Sequence, residues 1–397
     1  MTGKPVTVHS IPEMPENRAK RRQISGHSFR LASVALAGLS LLLVTSGCGG
    51  GSNGGAGGGS GGSGSGGSGG GSGGGSGAAS IFVTQDNAFF LPPSPSTILQ
   101  FSTAANGDVN PNSTITGPSQ VIFTALAADA AARLYVGGSI FNSNPDSVGS
   151  VEILVYSAGA NGTANPARTI TGSATGLNVD NQNGIEALAV DSSGNIYVNV
   201  IYSPSNGVAF PAIAVYPSTA NGNVAPMRVI GGSATTIAQS SPNQIALDSA
   251  GNIYVPGGAP LFPDSILIFN SSATGNVLPT STLTGAATML DDVVGVALDS
   301  AGNIYVANGS IMGSTPSILE FGAGSTGNAA PIRTISGAAT TMNAIGNLGV
   351  DSAGNIYLLT PDGVLKFATG ATGNVAPAAT ITTSSGFGQS TSLIVVQ

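Results

Sequence analysis

The stretch ALDSAGNIYVAN, residues 297 to 308, is written five times along this chain with small changes. Aligned on its GNIYV element, the copies centre on Tyr135, Tyr197, Tyr254, Tyr305 and Tyr357, at separations of 62, 57, 51 and 52 residues. Each copy runs on into an alternating strand that ends in an aromatic, at Tyr156, Tyr216, Phe269, Phe321 and Phe367. A Gly/Asn turn, a Pro and a last short strand follow, as in GNVAPMRVIGG and GNAAPIRTISG. Each unit therefore carries four short strands. A four-stranded unit of this length has two apolar faces that it cannot bury alone, and stacking the copies around an axis buries them, so the period predicts a propeller.

The ends of the repeated region set the blade count. SIFVTQ (80 to 85) matches the GNIYV strand with Phe82 in the Tyr position, and STILQF and STITG supply two more strands, but no first strand precedes them. TSLIVVQ (391 to 397) matches a first strand and stops. Five complete units and one divided between the termini predict a six-bladed, all-β propeller over residues 80 to 397, closed by a C-terminal strand that removes exposed sheet edges. The inner strands ALAV and GVAL read as continuous apolar runs, as expected of strands covered on both faces. The DSAGN segments read as tight turns in which Asp caps and Gly takes positive φ, which makes Asp191, Asp248, Asp299 and Asp351 turn formers rather than catalytic acids.

The unit as a whole, ALDSAGNIYVAN with its following ILVY- or ILEF-type strand, resembles the NHL-type repeat of six-bladed propellers, and the resemblance spans residues 80 to 397. The longer Gly-Asn and Pro stretch departs from shorter NHL units and looks like a bacterial secreted variant. The resemblance implies a platform for binding a ligand or protein.

Residues 1 to 47 have a different grammar. Lys20, Arg21, Arg22 and Arg30 precede an apolar run, LASVALAGLSLLLVTSG, that ends at the single cysteine, Cys48. This pattern reads as an export signal. Ser46 and Gly47 before Cys48 resemble a bacterial lipobox, which implies lipidation of Cys48; Thr45 departs from the Leu usual three places before the Cys. An uncleaved anchor is the competing reading, although a 17-residue run is short for a span. From 48 to 79 the chain is almost pure Gly and Ser, a composition that buries too little to order itself and serves as a linker. The expected location is therefore outside the cytoplasm, lipid-anchored to a bacterial membrane in the periplasm or at the cell surface.

After Cys48 there are sixteen acidic residues against five basic ones, Arg133, Arg168, Arg228, Arg333 and Lys366. Such a domain has no electrostatic footprint for nucleic acid. Both histidines lie in the leader, so a His-containing triad, a His-ligated zinc and a His general base are excluded from the repeats. Propeller lyases that use His are excluded with them.

What differs between copies is the place to seek function. The loops joining the second and third strands vary most, and several carry aromatics beside Pro and Asn: Phe89, Phe90, Phe141, Tyr202, Phe210 and Phe262. Such rings serve either as a binding rim or as caps on the outer core. On the same face, by alignment, lie Asp180, Asn181, Asn183, Glu186, Asn243, Gln244, Asp291, Asp292, Asn343 and Asn347. Glu186 is the single carboxylate among otherwise neutral equivalents. Oxygen ligands converging from several blades would hold calcium or another divalent cation, as in propellers resembling the gluconolactonase group.

Three readings follow. The first is a tethered, monomeric, non-enzymatic scaffold that binds a protein or glycan partner and needs no cofactor. The second is a divalent-metal-dependent lactonase or hydrolase using Glu186, Asp291 and Asp292. The third is a structural envelope protein.

Overall fold

A computed structural model describes residues 79–85, 95–141, 148–177, 184–204, 207–237, 244–259, 262–309, 315–384, 386–387 and 392–396, with the backbone alone at 141, 148, 258, 259, 262 and 263. The export segment, Cys48 and the Gly/Ser linker lie outside these residues.

Six sheets make six blades. The second blade comprises Val121–Ala128, Leu134–Phe141, Val148–Tyr156 and Arg168–Ile170, each strand antiparallel to the next. The third to sixth blades repeat this order, beginning at Ala187, Ala246, Val293 and Leu348. The first blade is composite: Ser80–Gln85, Thr97–Ser102 and Ser113–Thr116 take Leu393–Val396 as their innermost strand, with Ser80 opposite Val396 and Val83 opposite Leu393. The divided blade expected from the termini is present.

The closing strand is held by more than its ladder. Thr84 and Ser392 exchange hydrogen bonds through both backbone and hydroxyl groups. Asn347 Nδ2 of the sixth blade donates to Ser392 Oγ at 3.1 Å. Phe387 is buried against Phe101 with ring centroids 5.7 Å apart.

No blade buries itself. The core is divided into six clusters, one at each seam between neighbouring blades. The two repeated aromatics explain this division, because they point to opposite faces of their sheet. The third-strand rings of Phe101, Tyr156, Tyr216, Phe269, Phe321 and Phe367 are wholly buried against the preceding blade. The second-strand rings, from Phe82 and Tyr135 to Tyr357, face the following blade. Each seam therefore receives one ring from each side, and burying rings of this size is worth about 2–3 kcal/mol apiece.

The DSAGN turns fold as expected and carry a second duty. Asp191 Oδ1 accepts from the backbone N–H groups of Ser193 and Asn195, while Oδ2 accepts from Asn195 Nδ2 and the Tyr197 hydroxyl. Asp299 and Asp351 repeat all four bonds. Burial would raise the Asp351 carboxyl, but the bonds from Asn355 and Tyr357 outweigh it and hold the group below the usual carboxylate range.

The Gly-Asn stretch, which had no assigned role, closes the seams. In the third blade Gly222 pairs in parallel with Ile170 on the outer strand of the second blade. Gly222 N donates to Thr169 O at 2.7 Å and Thr171 N donates to Gly222 O at 3.2 Å. The neighbouring Asn223 Oδ1 then accepts from Ala174 N at 2.7 Å. Equivalent parallel bridges join Ile115 to Gly162, Ile230 to Gly275, Leu283 to Gly327, Ile335 to Gly373 and Ile381 to Gly107. Six clasps thus run around the ring, each covering the outer sheet edge of the blade before it, where an open edge would invite foreign strands. Gly285 shows why the preceding blade needs a glycine: its φ is +118°, and a Cβ there would lie 2.5 Å from Asn328 Oδ1.

The inner strands depart from the expectation of burial on both faces. Val190, Leu247, Leu298 and Ile394 are half-exposed, because the strand ends nearest the DSAGN turns border an open channel. Continuous apolar sequence here reflects a narrow channel wall rather than complete coverage.

One seam differs from its neighbours. Tyr216 donates its hydroxyl to Thr175 O at 2.6 Å, using the GSAT turn of the preceding blade. In the first blade GPSQ replaces that turn, and the buried Tyr156 hydroxyl has no partner among the described residues. Burial and the nearby Glu152 push Tyr156 up to about 12, and burial likewise raises Glu152.

Two predictions follow from the seams. Gly285→Ala is expected to cost about 1–3 kcal/mol in denaturant-measured stability, since it combines a strained φ with a clash, whereas Gly→Ala at a compatible position stabilises. Tyr216→Phe is expected to cost about 1 kcal/mol, while Tyr156→Phe is neutral or stabilising because it removes an unsatisfied buried hydroxyl; equal effects at the two sites would refute this account.

Candidate functional site

The two ends of the propeller are unlike. At one end the DSAGN turns repeat nearly unchanged, and the carboxylates described above are engaged by their own turns. At the other end the second strand hands over to the third through connections of unequal length, from Thr360–Gly363, where the strands nearly touch, to the longer intervals from Gln85 to Thr97 and from Asn308 to Ser317.

Several of the candidate groups at this variable end can be placed directly. Asp291 and Asp292 enter the fifth blade, and both are fixed through their main chains. Asp291 N donates to Asn308 Oδ1 at 2.7 Å, and Asp292 N donates to Asp264 Oδ2 at 3.0 Å. Asp292 takes φ +58° and its carbonyl accepts from Gly309 N at 3.1 Å. Glu186 is half-buried at the entry to the third blade, where its N–H donates to Asn199 O at 3.0 Å. Tyr202 folds back: its ring lies on Gly176, where a Cβ would come within 2.1 Å, and 5.8 Å from the Phe210 ring. That is the position of a cap on the outer core.

Asn243, Asp180, Asn181, Asn183, Phe89 and Phe90 lie outside the described residues, as do the side chains of Phe141 and Phe262. The Phe141 backbone pairs with Val148 and the Phe262 backbone with Ala259, so both stand at the variable ends of their strands. Asn343 is exposed, and Asn347 is buried in the closing contact with Ser392.

Asn308 is a residue that sequence reasoning missed. Nearly fully buried, it also donates from Nδ2 to Met289 O and to Ser317 Oγ, both at 3.1 Å, and so ties the entry loop of the fifth blade to its second and third strands. Its equivalents in the aligned strands are Val200 and Thr360, and that departure was the available signal. Among the described residues, no three His, Cys, Asp or Glu side chains gather where they could share a metal ion.

The channel is crossed at this end by Gln244, one of the candidates expected on this face, in a role the sequence did not disclose. From the fourth blade its Nε2 donates to Leu348 O at 2.7 Å, and its Oε1 accepts from Leu348 N at 3.1 Å, on the sixth blade. The primary amide thereby imitates a strand neighbour across the axis. It passes over Gly295 of the intervening blade, where a Cβ would lie 2.6 Å from Oε1. Beside it a cavity of about 160 Å³ is walled by Leu126, Leu188, Leu247, Leu393 and their neighbours.

At the constant end a hollow of about 360 Å³ lies between the third and fourth blades, lined by Asp191, Ser193, Tyr197, Met227, Arg228 and Ser249 among others. Its charged groups are already used. Arg228 donates to Ala273 O at 2.7 Å and to the Tyr197 hydroxyl at 3.0 Å. The other cations behave alike: Arg168 bonds Ser218 O and Ala220 O, Lys366 bonds Thr103 O, Arg133 pairs with Asp129, and Arg333 pairs with Glu320.

No family model matches the sequence, and no curated protein does. Solved structures do. A protein of unknown function from Bacteroides caccae superposes with a TM-score of 0.50 at 10% identity, over 81% of this chain and 99% of that one. The WD40 domain of Toxoplasma gondii coronin gives 0.42 at 11% identity over 70% and 64% of the two chains. The major Malassezia sympodialis allergen Mala s 1 gives 0.43 at 12% over 67% and 80%. The last two are too distant to carry an argument, and the first is a likeness of fold alone. The fold places the chain among six-bladed β-propellers.

Gln244→Leu is expected to strand the Leu348 N–H and C=O and cost about 1–3 kcal/mol. Gly295→Ala should displace the same side chain, so the double variant is expected to cost clearly less than the sum of the two; simple additivity in denaturant melts would contradict the bridge.

Proposed function

We propose that the chain is an exported, lipid-tethered propeller of NHL-like type that binds a protein or glycan partner through its variable end, without catalysis. The observation that carries this reading is the contrast between the two ends. One is constant, with its polar groups engaged internally; the other differs from blade to blade in loop length and residue type. Rigid scaffolds with variable loops at one end commonly place recognition there.

The point where the linker joins supports it. The second strand of each blade starts at the DSAGN end, so Ser80, beside Val396, receives the linker at the constant end. A tether attached through Cys48 would therefore join the propeller at the end opposite the variable loops and leave those loops unobstructed. The linker, residues 49 to 77, has a reach on the order of 30 Å.

Replacing residues 142 to 147 and 310 to 314 with the short Thr360–Gly363 type of connection tests the proposal on glycan and envelope-protein panels. The shortened protein is expected to keep its melting temperature and lose roughly tenfold or more in affinity, while Ser192, Ser193 and Ser249→Ala at the constant end changes nothing. Unchanged binding after shortening would overturn the reading. Metal analysis separates it from a hydrolase: stoichiometric divalent metal lost in Glu186→Gln would replace it with the metal-dependent alternative.

A further inference from the structure

Three of the six clasps carry the dipeptide Asn-Gly, at Asn106-Gly107, Asn161-Gly162 and Asn221-Gly222. The other three carry Thr-Gly, at Thr274-Gly275, Thr326-Gly327 and Thr372-Gly373. The glycines are needed in all six, since each clasp glycine has φ between +60° and +78°. The asparagines are a choice, because the Thr-Gly clasps make the same parallel bridge. Each asparagine adds one bond across its seam: Asn161 Oδ1 accepts from Thr114 N at 3.2 Å, Asn221 Oδ1 from Thr169 N at 3.2 Å, and Asn106 Oδ1 from Thr380 N at 3.1 Å.

Asn-Gly is also the peptide most prone to self-attack, because glycine presents no side chain to hinder its nitrogen. The closed clasp opposes that reaction. Gly162 N donates at 2.7 Å to Thr114 O and at 2.8 Å to Asn161 Oδ1, and Gly222 N donates at 2.7 Å to Thr169 O. A nitrogen whose proton is held by an acceptor is harder to deprotonate. At Gly162 the same N–H is shared with the Asn161 amide oxygen, so its proton is held by two acceptors.

We propose that Asn106, Asn161 and Asn221 are modification sites that record opening of the ring. When a seam opens, the glycine nitrogen bonds to Cγ and the Cγ–Nδ2 bond breaks. Ammonia leaves with the proton that the glycine nitrogen gives up. Water then adds to either carbonyl of the resulting succinimide, giving aspartate or isoaspartate. Isoaspartate inserts an extra methylene into the main chain, so the clasp glycine can no longer meet Ile381, Ile115 or Ile170 in register. Opening at these seams thereby becomes irreversible, while the Thr-Gly seams, which lack an amide carbonyl to attack, reclose unchanged. All three asparagine seams are contiguous, joining the sixth blade to the first, the first to the second and the second to the third. They therefore surround the blade that the C-terminal strand completes.

The test incubates the full chain under mildly alkaline conditions, folded or unfolded in urea, and follows isoaspartate by peptide mapping. Protection by local closure predicts conversion at the three sites at least about tenfold slower in the folded protein. Equal rates in the two states would overturn the proposal. A variant with Asn106→Thr, Asn161→Thr and Asn221→Thr adopts the residue already used in the other clasps. After cycles of partial unfolding the wild type is expected to lose refoldable protein progressively and the variant to retain it. Loss at the same rate in both would show that the asparagines are not the irreversible step.

Discussion

The structure depends on one constraint: a four-stranded sheet with apolar residues on both faces has nowhere to put them except against another such sheet. Everything else follows from serving the seam. The strand-two and strand-three rings alternate sides so that every seam receives one of each. The basic residues reach backbone carbonyls of the next blade or a carboxylate of their own. The clasp glycines lie along the outer edge of the blade before them, and the adjacent asparagines of four blades hold that blade's next turn. A seam is therefore closed at three depths, by Gln244 or inner-strand packing at the channel, by rings in the middle and by clasps at the perimeter.

The ring itself is closed by the same interactions rather than by a special device. The sixth seam uses Phe101, Tyr357 and the Ile381 to Gly107 bridge as any other seam would. What is particular is the blade beside it, the first, which joins distant parts of the chain through the Thr84 and Ser392 exchange. Completing that blade brings together residues some 300 positions apart, a costly loop to form in an open chain. That cost falls on folding rate more than on final stability.

How far this was legible in the sequence depends on whether a feature repeats. The blade number, the divided first blade and the DSAGN turns could be read because their signals recur in register, from SIFVTQ to TSLIVVQ. The Gly-Asn stretch recurs as well, yet its role was hidden, because its partners are backbone groups about 50 residues upstream and no residue type advertises a carbonyl. Gln244 and Asn308 occur once each, and their value lies in backbone groups that they satisfy across the axis or within the entry loop. Tyr202 shows the limit from the other side: a loop aromatic beside Pro and Ser suits a binding rim and a core cap equally, and only Gly176 beneath the ring decides. At the variable end, Asp291 and Asp292 enter one blade as neighbours in the chain, while their anchoring by Asn308 and Asp264 required coordinates.

The use made of the few cations has a consequence for the setting in which the molecule can work. Arg168 and Lys366 bond only neutral carbonyls, and Arg228 bonds a carbonyl and a phenol. Among the described residues, only Arg133 and Arg333 face carboxylates. Dissolved salt weakens attraction between exposed charges but has little to screen in a bond to an uncharged group. The seams accordingly rest on contacts that ionic strength barely touches, so the ring would keep its closure through wide changes in the salt content of its medium, as the exported setting proposed above would require.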